Sequence, residues 1–195
     1  VEQSEKDSML VVTNYASQYY IDQLWNSEDG KSIGLSYFKE RGFRDETIKK
    51  FELGFSHDQW DGFTKDAVAK GYKTEFLTKT GLSIERDNAN DSSEKKFFDR
   101  FRGRVMFPIH NVAGRVIAFG ARILKIDKTQ AKYLNSTESV VYHKSKVLYG
   151  LYQAKQAIRK EEECLLVEGY TDVVSLHQSG VEHVVASSGT SLTED

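Results

Sequence analysis

Near its C-terminal end the chain sets two short apolar runs on either side of one helix, and this pattern limits the fold more than any other feature. Cys164 to Val167 and His183 to Ala186 read as buried strands, Thr171 to Gln178 as the helix between them, and Gly180 as its stop. Two strands joined through a helix pair in parallel, so this part is expected to be a βαβ unit of an α/β sheet.

The preceding residues carry other periods. Ser8 to Trp25 has apolar residues at Val12, Tyr15, Ala16, Tyr19 and Leu24, close to a helical repeat that Asp29-Gly30 should break. Short helices are predicted for Ser36 to Arg41, for Glu46 to Glu52 with Asp45 as N-cap and Gly54 as stop, for Asp61 to Lys70, and for Thr74 to Lys79. Helices this short need a sheet or one another to form a core. Residues 87–94 read as a polar loop. Val105 to Ile109 and Val116 to Gly120, around a turn at Asn111 to Gly114, then read as an antiparallel hairpin apolar enough to be covered on both faces, with Pro108 marking an edge or a bulge. A third strand is predicted over Ala131 to Leu134, and a helix over Lys146 to Lys160. The fold class is therefore α+β, short helices around a small antiparallel sheet, followed by the βαβ unit. The boundary is expected near residue 150, dividing the chain into 1–150 and 151–195.

The chain has 195 residues, 39% of them hydrophobic, which is enough to bury a core. Its net charge of −2 conceals a strong asymmetry. Residues 95–146 hold twelve Lys/Arg against three Asp/Glu, a net of +9, and the remainder carries −11. A segment so basic is the footprint of a phosphate-binding face, or else a solvated surface. The single cysteine, Cys164, excludes an internal disulfide and a multi-cysteine zinc site in this chain. That lone cysteine fits a reduced, cytoplasmic setting, and no apolar run approaches a membrane span, so no membrane partner is expected. The chain begins without Met and ends just after a turn signal, so both ends are expected to be cut points in a longer protein.

Four segments can carry chemistry. Glu168-Gly169-Tyr170-Thr171-Asp172 puts one carboxylate at the end of a parallel strand and another in the first helical turn, where both can face one crevice. Such oxygen ligands suit Mg²⁺, although Asp172 could simply complement the helix N-terminus. Arg100-Phe101-Arg102-Gly103-Arg104 concentrates guanidinium groups that match phosphate oxygens, and Phe97, Phe98 and Phe101 beside them serve as base-stacking surfaces or as core. Lys132 and Asn135 at a strand end, with Lys144 at a helix start, form a candidate anion site or a basic surface loop. Ser187 to Ser191 allows close backbone approach to a ligand, or is a plain turn. Five scattered histidines show no metal-binding spacing, and there is no Walker A or GxGxxG pattern.

In combination these segments resemble the bacterial replicative primase family, from YFKERGF (37–43) to SSGTSLTED (187–195). RFRGRVMFPIHNVAGRVIAFGAR (100–122) is similar to its basic motif and hairpin, and KYLNSTES…YHKSKVLYGL (132–151) to its nucleotide-binding segment. EGYTDV (168–173) resembles the first motif of a TOPRIM domain. The resemblance implies a DNA-dependent RNA polymerase that makes short RNA primers on single-stranded DNA, at the replication fork, by metal-dependent nucleotidyl transfer. It implies Glu168 and Asp172 as catalytic and metal-binding residues for Mg²⁺ or Mn²⁺. Arg41, Arg122, Lys132, Asn135 and Lys144 would hold the ribonucleoside triphosphate, and Arg100, Arg102 and Arg104 the DNA or primer backbone. The chain departs from the family at Thr137, where proline is usual, and at Ser139, where threonine is. The family's zinc-binding module, its Asp-x-Asp motif and its helicase-binding C-terminal domain have no counterpart in these residues, so the chain alone is expected to bind metal poorly and make no primer. A non-catalytic single-stranded-DNA-binding module, or a TOPRIM nuclease or topoisomerase, are the alternative readings.

Overall fold

The structure is a computed structural model that describes residues 2–88 and 91–187. At its centre lies a hairpin of β4 (Arg104–His110) and β5 (Val116–Ile123). β1 (Gly54–Ser56) pairs with the outer edge of β4 and β6 (Tyr133–Asn135) with that of β5, giving the antiparallel order β1-β4-β5-β6. Strand side chains alternate between faces, and here both faces are apolar. Val105, Phe107 and Ile109 enter one hydrophobic cluster, and Met106, Phe119 and Ala121 another. Each fully buried side chain of this kind contributes about 1.5–3 kcal/mol.

Helices close the two faces. Val12, Ala16 and Tyr20 of α1 (Glu2–Asn26), Phe63 and Ala67 of α4 (Gly62–Ala69) and Leu77 of α5 (Thr74–Lys79) cover the Met106 face. Phe38 of α2 (Ser36–Glu40) and Ile48 of α3 (Asp45–Lys50) cover the Val105 face. The same cluster takes in Tyr170, Val173 and Val174 of α7 (Tyr170–Gln178) and Val184 and Ala186 of β8 (Val184–Ala186). The βαβ unit thus shares its core with the antiparallel sheet. As expected, β7 (Leu165–Val167) and β8 pair in parallel around α7. α6 (Leu151–Glu161) leads into β7 from Gly150, and Tyr149 bridges the backbone of Ala186.

Several expectations are corrected. The first helix ends at Asn26, three residues before Asp29-Gly30, and the chain then stays helical through a π-helical segment at Gly30–Leu35 into α2. Asp45 lies inside α3, and Arg44 is its N-cap. Gly54 opens β1, a strand too short to show a period. The polar stretch 87–94 belongs largely to a two-stranded ribbon of β2 (Ser83–Asn88) and β3 (Asp91–Asp99), held by cross-strand pairing rather than apolar burial. The third strand runs to Asn135 rather than starting at Ala131. Lys146 to Gly150 precede α6, and Lys144–Lys146 form a separate 3₁₀ turn. β7 is open on one side, with Leu165 and Leu166 exposed, because among the described residues only β8 pairs with it. Pro108 follows expectation: β1 pairs with β4 only from Arg104 to Met106, and the register shifts just after Ile109.

The base of the ribbon is fixed by a remote cap. Asp61 stands at the N-cap of α4 without a side-chain capping bond. Asp99 of β3 supplies it instead. It accepts the Phe63 N–H at 2.9 Å, the Thr64 N–H at 2.9 Å and the Thr64 hydroxyl at 2.7 Å. Burial pushes the Asp99 carboxyl up from its usual value, against these hydrogen bonds. Asp99→Ala strands these buried donors and is expected to lower stability by about 2–3 kcal/mol in urea titrations. A loss below about 0.5 kcal/mol would show that the remote cap carries no weight.

Candidate functional site

The arginine run converges on one cavity. Phe101 is buried in the core and Gly103 turns the chain at φ +66°, a conformation that side chains disfavour. Arg100, Arg102 and Arg104 then line a cavity of about 310 Å³ with Ile84, Phe98, Gln130, Ala131 and Leu134. Their roles differ. Arg104 is 2% exposed, and its guanidinium donates to the carbonyls of Ala121, Ala131 and Lys132, which ties β4 to the approach to β6. Arg100 donates to the Asn135 carbonyl at 2.9 Å. Burial pulls both guanidinium groups below their usual pKa, and Arg100 adds to the shift at Arg104. Arg102 lies over Trp60 and Phe98, which stack on each other with centroids 4.4 Å apart. The sequence reading did not single out Trp60. Its partner Phe98 lies 38 residues away, and only folding joins them.

A second basic group surrounds Tyr37. The Arg41 and Arg122 guanidinium groups lie 4.6 and 5.0 Å from the centroid of its ring. Burial raises the Tyr37 pKa, and the two arginines oppose that rise. Tyr133 is cross-strand from Arg122 and continues the strip, with the exposed Lys132 beside it. The Nε atoms of Arg100, Arg102 and Arg122 are buried and make no hydrogen bond among the described residues. Lys144 opens the 3₁₀ turn, where its backbone N–H donates to Glu138 at 2.7 Å. The structure therefore joins Arg41, Arg122, Lys132 and Asn135 in one strip and sets Lys144 on a loop that Glu138 braces.

The strip runs into a cavity of about 390 Å³ lined by Tyr133, Asn135, Glu168, Gly169, Tyr170, Thr171 and Asp172. Tyr170 forms the junction. Its ring stacks on Phe107 at 5.3 Å and meets Tyr149 edge-on at 4.7 Å, and its hydroxyl donates to Asn135 Oδ1. β5 makes room through Gly120, where a Cβ would lie 2.3 Å from the Tyr170 ring. Glu168 and Asp172 are both exposed and share this cavity. A Cβ at Gly169 would lie 3.2 Å from Asp172 Oδ2, so this carboxylate also folds over the start of α7. Two carboxylates with a neighbouring amide oxygen fit one hard cation completed by water and phosphate. Among the described residues no group of three or more His, Cys, Asp or Glu side chains forms a cage. Of the Ser187 to Ser191 turn, Ser188 onward lies outside the described residues.

The far end of α7 holds the loop that carries Arg41. Gln178 accepts the Arg44 N–H at 2.8 Å and donates to the Gly42 carbonyl at 2.7 Å. One short helix thus touches the carboxylate cavity at its start and the Arg41 turn at its end. Beside this clasp, His177 is buried edge-on against Phe51 at 5.0 Å. Burial, then Lys50, pull its pKa below the usual value, while Glu182 opposes them.

Residues 19–155 match the family described as DNA primase catalytic core, N-terminal domain, and residues 162–195 match the Toprim domain. A DNA primase of Halalkalibacterium halodurans is 42% identical over 196 residues, which cover all of this chain and 31% of that protein. A DNA primase of Deinococcus radiodurans is 44% identical over 161 residues, 83% of this chain and 27% of that protein. The chain thus spans no more than about a third of the length of these curated relatives. Among solved structures, the DnaG primase catalytic domain bound to ssDNA is similar with a TM-score of 0.85 and 36% identity, covering 98% of this chain and 56% of that one. A DNA primase domain from Pseudomonas aeruginosa has a TM-score of 0.84 and 38% identity, covering 95% of this chain and 56% of that one.

Gly120→Ala is expected to cost about 1–3 kcal/mol by forcing Tyr170 off β5. The cost should shrink when Tyr170→Ala is introduced with it, and additive losses in a double-mutant cycle would contradict the contact. Because the folded His177 binds a proton less readily than the unfolded one, its contribution is present at neutral pH. It is lost as pH falls through about 6.5 towards the lower folded value. Urea titrations of His177→Leu should show a shallower loss of stability over that window than the parent.

Proposed function

The chain belongs to the DNA primase catalytic-core family, and on that premise we propose that it forms part of a DNA-dependent RNA polymerase that makes short RNA primers on single-stranded DNA. The observation that carries this reading is the junction at Tyr170. A strip of guanidinium groups on aromatic rings runs there into a cavity holding two carboxylates. Cations bind the phosphates of a nucleotide, and hard carboxylates hold the cation that such a transfer uses.

In the proposed reaction a primer 3′-hydroxyl attacks the α-phosphate of a ribonucleoside triphosphate and pyrophosphate leaves. Arg41 and Arg122 hold the phosphates, with their planes pre-set by Tyr37, and Lys132 and Lys144 add charge from the neighbouring loops. Asn135 orients the sugar, and Tyr170 fixes the Asn135 amide. Glu168 and Asp172 would hold a divalent cation, Mg²⁺ or Mn²⁺, which when bound would supply charge stabilisation to the attacking and leaving oxygens. Arg100 and Arg102 guide the template or primer backbone, with the Trp60–Phe98 stack as a base platform. Arg104 shapes that cavity from beneath. A zinc module and a helicase-binding domain are proposed for other parts of the full-length protein, and a cytoplasmic setting at the replication fork follows from the activity. We place the boundary between the basic subdomain and the TOPRIM unit near residue 150, where Gly150 starts α6 at φ +84°.

Glu168→Gln in the full-length protein is expected to lower primer synthesis by on the order of 10²-fold or more while single-stranded DNA binding stays within about twofold. Arg41→Ala should act mainly on the KM for nucleotide. Undiminished synthesis by Glu168→Gln would remove Glu168 from the reaction, DNA binding without any synthesis by the parent would favour a DNA-binding module instead, and DNA cleavage in place of synthesis would favour a TOPRIM nuclease or topoisomerase.

A further inference from the structure

The β2–β3 ribbon stands beside the arginine cavity, and its charges are sorted by face. Ile84 and Phe98 are cross-strand partners, and both line the cavity. The next pair on the same face, towards the tip, is Arg86 opposite Lys96, both exposed. Like charges directly opposite each other destabilise a ribbon. Neither Arg86 nor Lys96 makes an ion pair among the described residues. The other face is neutralised: Lys95 pairs with Glu85 and lies cross-strand from Asp87. At the base that second face packs on α4, through Asp99 and through Ser83, whose hydroxyl bonds to Thr64 at 2.7 Å. The ribbon is therefore anchored through one face and presents two unpaired cations on the other, in line with the arginine cavity. Glu94, two residues further along β3, sets an acid at the far end of this run.

We propose that the Arg86–Lys96 face of the ribbon is a second contact for the nucleic-acid backbone, extending the track that starts at Arg100 and Arg102. The inference rests on the reading of that cavity as a polynucleotide site and deepens it. Lys96 lies four residues from Arg100, so the added track is about 13 Å long at ~3.3 Å per residue. The partner is the phosphodiester backbone of a single strand. No base-reading geometry accompanies the pair, so the contact is sequence-independent. A bound strand also removes the cost of placing two cations opposite each other.

The test compares the full-length protein with Arg86→Gln/Lys96→Gln, measuring the affinity for single-stranded DNA across a salt series. Each phosphate contact contributes about 0.7 to the slope of log K against log salt for single strands, so the double variant should lose about 1.4. The effect should be confined to oligonucleotides long enough to reach the ribbon, with thermal stability of the free protein equal to or above that of the parent, since the variant removes the opposed like charges. Lys65→Gln/Lys160→Gln removes the same charge elsewhere on the surface and should leave the slope as it is. An unchanged slope in the ribbon variant, or an equal fall in the Lys65/Lys160 control, overturns the ribbon contact. Arg102→Gln in the same series decides separately whether the cavity itself binds DNA: a fall of about 0.7 keeps that reading, and no fall removes it.

Discussion

One aromatic side chain holds the two halves of the described structure together. Tyr170 begins α7, yet its ring lies against Phe107 and Tyr149 and over the vacant side-chain position of Gly120, and its hydroxyl bonds to Asn135 on β6. A ring of this size buries a large apolar area while its polar tip still finds a partner. The contact therefore joins the βαβ unit to the antiparallel sheet and places Glu168 and Asp172 beside Asn135 and the basic strip. Gln178 repeats the arrangement at the other end of α7, where it clasps the turn that carries Arg41. A rigid helix anchored at both ends sets the separation between the two carboxylates and the turn that carries Arg41.

The basic face is assembled with little use of acidic partners. Arg41 and Arg122 share the Tyr37 ring, and Arg102 shares the Trp60–Phe98 stack. Aromatic faces fix the guanidinium planes without neutralising them, so their charge stays available to an anion. Carbonyl oxygens take up donors of Arg100 and Arg122 once each, and of Arg104 three times. The division of labour within Arg100–Arg104 follows from depth. The arginine at the start of the central strand is buried and structural, while those before the Gly103 turn face the cavity.

Elements with a strong apolar period were legible in advance: the β4–β5 hairpin covered on both faces, the short helices of the first part, and the parallel pairing around α7. Elements without one were missed. β1 is three residues long, and the β2–β3 ribbon is polar and held by backbone pairing, so neither leaves a hydrophobic signature. Asp-Gly is locally a poor helix former, and α1 does end just before it at Asn26, but burial of Gly34 and Leu35 keeps the following residues helical through the π-helical passage at Gly30–Leu35.

The sequence alone determined which residue types were present and where the period changed. The arginine run, the basic segment within an almost neutral chain, and the two carboxylates four residues apart around a strand–helix junction could all be read from it. The tertiary structure decided which of them meet. Trp60 with Phe98, Arg41 with Arg122, Asp99 with the start of α4, and Tyr170 with Gly120 are each separated by tens of residues and carry no local signal. The reason is physical. Local periodicity reports which face of an element is apolar, whereas the partner of that face is set by how whole elements fill the shared core.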